Sequence, residues 1–396
     1  MTRTSLSQAC FHGGESWNAI GNGSDALDNF DRVINADVLD AWFPPSPKVI
    51  QSLSEHLCRL ISTSPPTHSH GLIQEIAAAR DIRSESIVVG AGSSDLIHRL
   101  LPILCGQSSS AAVLDPTYPE YAHVLRNILG CRVFCIPLSL ELGFPVGETE
   151  LSAALAQRPN LVVIVNPNNP TGTYVPSDVL CDWLVGVPSD TTVWIDETYI
   201  DYVSPDDSME RFAASSSNVI VCKSLSKCFS LSGARVAYAV CAPALAERVR
   251  RLTPPWAVSL PAQVAAVASL QDPEYFRARW SETAELRAGL VRGLEERAHL
   301  KVVGGAGNFV LALAGGAHAP TAASICEQAR KDNLFLRDAS RTSHILPPQA
   351  LRIAVKDEST NRRIVEILAS MRSEHEDDRT LEQATGWQAL PELFLG

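Results

Sequence analysis

From about residue 86 the chain alternates short, continuously apolar runs with amphipathic stretches. "SIVVGAG" precedes the helical "SSDLIHRLLPIL", "AAVLDPTYPEYAHVLRNIL" repeats that plan, and "RVFCIPL" follows. "LVVIVNPNNPTG", "TTVWIDETY", "NVIVCKSLSK" and "ARVAYAVCA" complete the series. Apolar runs without polar alternation suit strands covered on both faces. Strands interleaved with helices predict an α/β layered domain with a mostly parallel mixed sheet sandwiched by helices. After "LTPPWAVSLPAQVAAVASL" the pattern turns helical through about Leu294. "LKVVGGAGNFVLAL", a helix near Thr321–Asp332, "LFLRD", "ALRIAV" and a helix near Asn361–Met371 then predict a smaller α+β domain.

These shifts divide the chain into an N-terminal segment (1–70), a large domain (71–290), a small domain (291–372) and a tail (373–396). The N-terminal segment is expected to pack with the small domain or to cross to a partner subunit. "SEHEDDRT" reads as a charged, solvated linker and "GWQALPELFLG" as a frayed end.

Composition narrows the function classes. Hydrophobic residues are 45% and charged residues 19%, enough for a sizeable core. A net charge of -11 without a basic tract argues against nucleic acid and anionic membranes as partners. No run reaches the roughly 18 apolar residues of a membrane span, and "MTRTSLSQACFHGG" lacks the apolar stretch of a signal peptide. Ten cysteines are scattered with no C-x-x-C pair, so no metal site is expected and a reducing cytoplasm is the expected setting. Cys131 and Cys135, flanking "RVF", read as buried strand residues.

Open α/β sheets bind ligands beyond the carboxyl ends of their strands, and five predicted strands deliver polar groups there. "GAGSSD" (Gly90–Asp95) opens a helix whose free N–H groups attract phosphate, although a plain strand-to-helix turn reads equally well. In "DPTYPEY", Tyr118 suits stacking on a flat ligand or a place in the core. "NPNNPTG" (Asn166–Gly172) is a rigid turn presenting side-chain amides. In "WIDETYIDY", Asp196 ends an apolar strand, where a carboxylate needs a cation, donors or a helix-capping role, and Tyr199 follows three residues on. "VCKSLSKCFSLSGARVAY" offers Lys223 and Lys227, Ser224 and Ser226, and Arg235 after a relaxing Gly233. Hydroxyls plus a guanidinium describe a phosphate site. A lysine near a phosphate and a buried carboxylate suggests a Schiff base to an aldehyde. Pyridoxal 5'-phosphate has the matching phosphate, aldehyde and ring nitrogen.

In this order "NPNNPTG", "DETY" and "SLSKCFSLSGAR" closely resemble the fold-type-I pyridoxal-phosphate enzymes of the class I/II aminotransferase family. The nearest branches are histidinol-phosphate aminotransferases and the threonine-phosphate decarboxylases of cobalamin synthesis, and the match runs from about Ile34 to Met371. The resemblance implies that Lys227 forms the Schiff base and that Lys223 is a strand-end residue without chemistry. It places Gly92, Ser93, Ser94, Ser224, Ser226 and Arg235 on the phosphate, and Asp196 on the ring nitrogen. Asn169 and Tyr199 match donors to the ring's phenolic oxygen, and Tyr118 the stacking aromatic. Arg352 matches the residue that holds the substrate carboxylate, and Arg337 a second anion-binding position or a surface ion pair. A homodimer converting an amino acid with a keto-acid acceptor follows by the same resemblance.

Three departures fall on the substrate side. The family's N-E-N-P-x-G-P region reads "INADVLDAWFPPSPKV", keeping Asn35, while Trp42 and Phe43 are expected to make that wall bulkier. The family's R-Y-P-D tyrosine, which reaches the neighbouring phosphate, is Ser64 here, with His68 and His70 close by. "FHGGE" around His12 is similar to the start of the cobalamin-pathway decarboxylases. The expectation is a standard cofactor side with an unusual substrate in a specialised biosynthetic pathway. Decarboxylation, β/γ-elimination or replacement, and a non-catalytic binding role remain open alternatives.

Overall fold

The computed structural model describes residues 13–21, 24–315 and 319–384. A two-residue strand, β1 (Ile34–Asn35), lies in the N-terminal segment. Next come β2 (Ile87–Gly90), β3 (Ser110–Asp115), β4 (Arg132–Pro137), β5 (Leu161–Val165), β6 (Thr192–Asp196), β7 (Val219–Ser224) and β8 (Ala237–Val240). These seven form one sheet in the order β2-β8-β7-β6-β5-β3-β4. β3 to β7 run parallel, and β8 is antiparallel to both its neighbours. β2 therefore points the same way as the parallel five, and the carboxyl ends of β2, β3, β5, β6 and β7 share one edge.

The apolar runs have the physical cause expected of them. Within β5 and β6, Val162, Ile164, Val193 and Ile195 feed one buried cluster. Leu161, Val163, Val165 and Trp194 feed a second cluster on the other face. Both sides of each strand leave water, so polar alternation disappears.

The smaller sheet contains β9 (Leu300–Val303), β10 (Phe309–Ala314), β12 (Arg337–Asp338) and β13 (Ala350–Ala354), ordered β12-β13-β10-β9 and antiparallel throughout. Before β12, β11 (Leu334–Phe335) pairs in parallel with β1. Ala36 N–H donates to the Phe335 carbonyl (2.9 Å) and Ala354 N–H to the Ala36 carbonyl (3.0 Å). The N-terminal segment is thus sewn to the small sheet. Its next element, the helix Pro47–Ser62, packs on the helix Leu260–Leu270 beside His70–Arg80.

Several expectations need correction. Cys131 is buried but precedes β4, and Cys135 is exposed, because β4 is an edge strand with an uncovered side. "SEHEDDRT" is not a linker: the final helix runs Glu358–Ala384 straight through it, as suits a stretch without Gly or Pro. Trp42 and Phe43 do not line the site. The Trp42 indole donates to Thr283 Oγ1 (2.8 Å), while buried Phe43 meets Tyr275 and Phe276, so both bulky rings clamp the segment to the helix Pro273–Glu296. His12 and the stretch from Gly386 onward lie outside the described residues.

Lys223 occupies a position that its sequence did not reveal. It is 2% exposed and sits 3.4 Å from Asp201 and 3.8 Å from both Glu197 and Glu210. Arg80 joins the group, 3.0 Å from Asp201. Burial pushes the Glu197 carboxyl up to about 7 against the pull of Lys223. Three carboxylates thus share two cations under the sheet. Lys223→Met leaves them one, and an uncompensated buried charge typically costs about 3–5 kcal/mol. Urea unfolding should show a loss of that order; a loss below about 1 kcal/mol would mean that the cluster holds nothing together.

Candidate active site

The shared strand edge opens into a cavity of about 250 Å³ whose walls come from both sheets and from the N-terminal segment. At one end the helix Ser93–Leu104 begins directly after β2, with Gly92 as its N-cap. Gly92 has φ +91°, and a Cβ there would stand 2.3 Å from Arg235 Nη2. Only glycine lets the guanidinium lie against this helix start. Arg235 Nη1 donates to Ser226 Oγ (3.3 Å) and to the Ser232 carbonyl (3.1 Å). Ser93, Ser94, Ser224 and Ser226 line the same end. The left-handed backbone falls on Arg235 itself (φ 58°) and on Ser230 (φ 55°), and not on Gly233.

Asp196 lies beneath the cavity at the end of β6 and is 4% exposed. Burial raises its carboxyl, and donors oppose that rise. Tyr121 Oη donates to Oδ2 (2.7 Å), and Thr198 donates to Oδ1 through both N–H (2.9 Å) and Oγ1 (2.6 Å). Trp194 Nε1 donates in turn to Tyr121 Oη (2.8 Å), fixing the phenol. Tyr121 and Thr198 are supporting residues that sequence reasoning missed. The spacing of Tyr121, three residues after Tyr118 in "DPTYPEY", was the available signal.

The rigid turn divides its labour. Asn166 exchanges hydrogen bonds with the Val175 backbone, and Asn168 bonds to Pro116, Thr117 and Thr171. Only Asn169 reaches the cavity, where its Oδ1 accepts from Arg352 Nη1 (2.9 Å) and its amide NH2 stays available as a donor. Gly172 ties the turn to the small-sheet side: Ala306 N–H donates to its carbonyl (2.7 Å). A Cβ on Gly305 would come within 2.5 Å of the Gly172 backbone, so this contact needs the glycine.

Arg352, on β13, is 8% exposed and its Nη2 donates to the Asp37 carbonyl (2.7 Å). Its Nε is buried without a hydrogen-bond partner. Burial, with Arg337 nearby, lowers its guanidinium to about 10, still cationic at neutral pH. Arg337 Nε lies 3.0 Å from Asp37 Oδ1, and Gly14 N–H donates to Asp37 Oδ2 (2.8 Å). Tyr199 and Tyr118 complete the walls. Burial pushes the Tyr199 phenol well up, against the pull of Arg352.

Lys227 enters from just beyond β7. Burial lowers the pKa of its amine below the ordinary lysine value; Asp40 opposes this, and Arg352 and Arg235 add to it. Lys223 is not among the cavity-lining residues. Asn35 does not line the cavity either: its Oδ1 accepts from Val38 N–H (3.1 Å) and shapes the turn. Ser64, His68 and His70 are exposed on the surface, with the two imidazoles edge to face.

A cationic, hydroxyl-lined end, a buried carboxylate, an amine and an orphaned guanidinium Nε therefore surround one cavity. That donor set fits pyridoxal phosphate with an amino acid beside it. Residues 34–368 match the family model for aminotransferases of class I and II. The chain belongs to that family. Class I and II aminotransferases are pyridoxal-phosphate enzymes, and the large sheet with its small antiparallel companion is their fold type I. The histidinol-phosphate aminotransferase of Moorella thermoacetica is 33% identical over 231 residues, 58% of this chain and 58% of that relative. Among solved structures, the histidinol-phosphate aminotransferase of Sinorhizobium meliloti in complex with pyridoxal-5'-phosphate superposes with a TM-score of 0.74. It is 21% identical, with 92% of this chain and 97% of that one covered. The L-threonine-O-3-phosphate decarboxylase of Porphyromonas gingivalis gives 0.76 at 20% identity, covering 86% and 100%. At such identities the aminotransferase fold is shared by proteins with different reactions.

Proposed function

We propose that this aminotransferase uses pyridoxal phosphate bound through Lys227 to move an amino group from an amino acid or amino-acid-like substrate to a keto-acid acceptor. The observation that carries this reading is the single cavity joining Lys227, buried Asp196, the Arg235 pocket and the unsatisfied Arg352 Nε. Bound cofactor supplies an aldehyde that takes up amines and a ring that accepts electrons from the α-carbon. The protein does the rest. Gly92, Ser93, Ser94, Ser224, Ser226 and Arg235 hold the phosphate. Asp196 keeps a proton on the ring nitrogen, Asn169 and Tyr199 donate to the phenolic oxygen, and Tyr118 covers the ring. Arg352 grips the substrate carboxylate, which sets which α-bond faces the ring. Lys227, its basicity lowered by burial, moves the α-proton as general base.

The charge layout bears on the substrate. Arg337 is balanced by buried Asp37, so a second anion on the substrate would have to displace that carboxylate. We therefore expect a substrate with one carboxylate and no phosphate, acted on in a specialised pathway by a cytoplasmic homodimer. Among the described residues no helix is long and apolar enough to cross a membrane.

A panel of amino acids mixed with the loaded enzyme tests the reading. Conversion of the cofactor's absorbance to its amine form, with a keto acid found by mass, is the expected result. Release of carbon dioxide, or of a β- or γ-substituent, without that conversion would replace it with decarboxylation or elimination. Histidinol phosphate should react at least about 100-fold more slowly than the best substrate, the scale of one mispaired buried charge.

A further inference from the structure

Asp40 lies on the segment between β1 and the helix Pro47–Ser62, 187 residues from Lys227 in sequence. Its Oδ1 accepts from Lys227 Nζ at 2.9 Å, and the same amine donates to Ser232 Oγ at 3.4 Å. Ser232 Oγ in turn donates to the Ser226 carbonyl (3.0 Å). The Asp40 side chain is 43% exposed, whereas that of Lys227 is 19% exposed, so the carboxylate approaches the amine from the solvent side.

The position of Asp40 is fixed on both sides. One residue before it, the Leu39 carbonyl accepts from Asn308 Nδ2 (3.0 Å). Two residues after it, the Trp42 indole is bonded to Thr283. The Phe43 carbonyl accepts from Ser230 Oγ (2.7 Å), and the Phe43 ring is buried. A flexible surface carboxylate meeting a lysine by chance would lack these anchors, and exposed ion pairs of that kind contribute little. Here the segment on either side is held by groups from three other parts of the chain, two of them bonded to its backbone carbonyls.

Resting on the proposed function, we propose that Asp40 is a positioning residue for Lys227. With Ser232 it holds the Lys227 nitrogen at the outer side of the cavity and favours its protonated form, both when that nitrogen is linked to the cofactor and when it is released as the free amine. In that proton transfer, the α-carbon's hydrogen leaves as a proton, its electron pair stays behind, and neutral Lys227 becomes an ammonium. A carboxylate 2.9 Å away favours the ammonium. The cations that face the same amine, Arg235 and Arg352, disfavour it, and Lys356 faces both Asp40 and Lys227. Buried Tyr202, whose hydroxyl donates to the Lys227 carbonyl (2.7 Å), lies within electrostatic reach of Asp40. Among the described residues Asp40 is thus the carboxylate that touches the lysine directly, and its removal leaves a surplus of positive charge.

The test uses the full chain loaded with pyridoxal phosphate, as wild type, Asp40→Asn and Asp40→Glu. The visible absorbance of the loaded protein reports protonation of the lysine nitrogen as pH is varied. Asp40→Asn should move the midpoint down by about one pH unit or more, the size of shift expected from an opposite charge at this range. The amino-acid half-reaction should slow about tenfold or more, with its acidic limb displaced the same way. Asp40→Glu, which keeps the charge, should return both toward wild type. A midpoint unchanged within about 0.3 units in Asp40→Asn, with borohydride still labelling Lys227, overturns this inference and leaves the proposed function standing. No label at Lys227 in the wild type takes both down.

Discussion

Lys227→Ala should lower turnover by about 10⁴-fold or more, because the proposed function asks one side chain to supply both the cofactor linkage and the general base. Borohydride reduction followed by peptide mapping should label Lys227 in the wild type and nothing in the variant. The fold should survive. Lys227 lies at the cavity rather than in an apolar cluster, and its direct partner, Asp40, is partly exposed and can turn to water. Thermal unfolding of the two proteins should therefore agree within a few degrees. Lys227→Arg keeps the positive charge beside Asp40 yet cannot deprotonate at working pH, so it should be as inactive as alanine. Activity within tenfold of wild type in either variant would mean that another amine does the work. Lys356 is the nearest rival, because burial lowers its amine to about 8.

Asp196→Asn should cost about 10²–10³ in kcat/KM, equivalent to about 3–4 kcal/mol of transition-state stabilisation. The carboxylate sits at the end of β6 with three donors aimed at it, from Tyr121 and twice from Thr198. Donors of this kind favour the ionised form, whereas burial favours the neutral one. A protonated ring nitrogen above would complete the balance, since a buried anion needs a cationic partner. Asparagine keeps the shape and removes the charge, so the ring nitrogen should lose its proton and the α-carbon its electron sink. Cofactor affinity should fall as well, measured by equilibrium dialysis. Tyr121→Phe takes away one of the three donors and should lose no more than about tenfold. If Asp196→Asn kept both rate and affinity, the carboxylate would be a strand-end cap and nothing more.

The polar lining of the strand-end cavity was largely legible from local pattern. Continuous apolar runs marked strands with no wet face, and a polar residue just beyond such a run has few places to go except the strand-end edge. Asp196, Ser224, Ser226, Lys227 and Tyr118 all follow from that rule, and the cavity gathers them. The helix Ser93–Leu104 coincides with the stretch "SSDLIHRLLPIL", because its apolar spacing is helical and Gly92 precedes it. Less legible was anything resting on a partner far away in sequence. Trp42 and Phe43 read as cavity walls because they fall in the stretch that resembles the family's substrate-covering loop. Their rings instead meet a helix more than two hundred residues onward. Asn35 kept the family's residue type, but its carboxamide closes a local turn.

Sequence by itself determined which segments are strands, which edge carries the polar groups, and that those groups suit one phosphorylated aldehyde. Each of these depends on neighbours a few residues apart, where the periods of strand and helix are decided. Tertiary structure alone decided how the charges pair. It placed Lys223 among three buried carboxylates and Lys227 against Asp40, although the two lysines lie four residues apart in similar serine-rich surroundings. It also set Asp37 against Arg337, three hundred positions onward. Coulomb attraction acts through space and leaves no period along the chain, so only the folded chain shows which charges remain for a substrate.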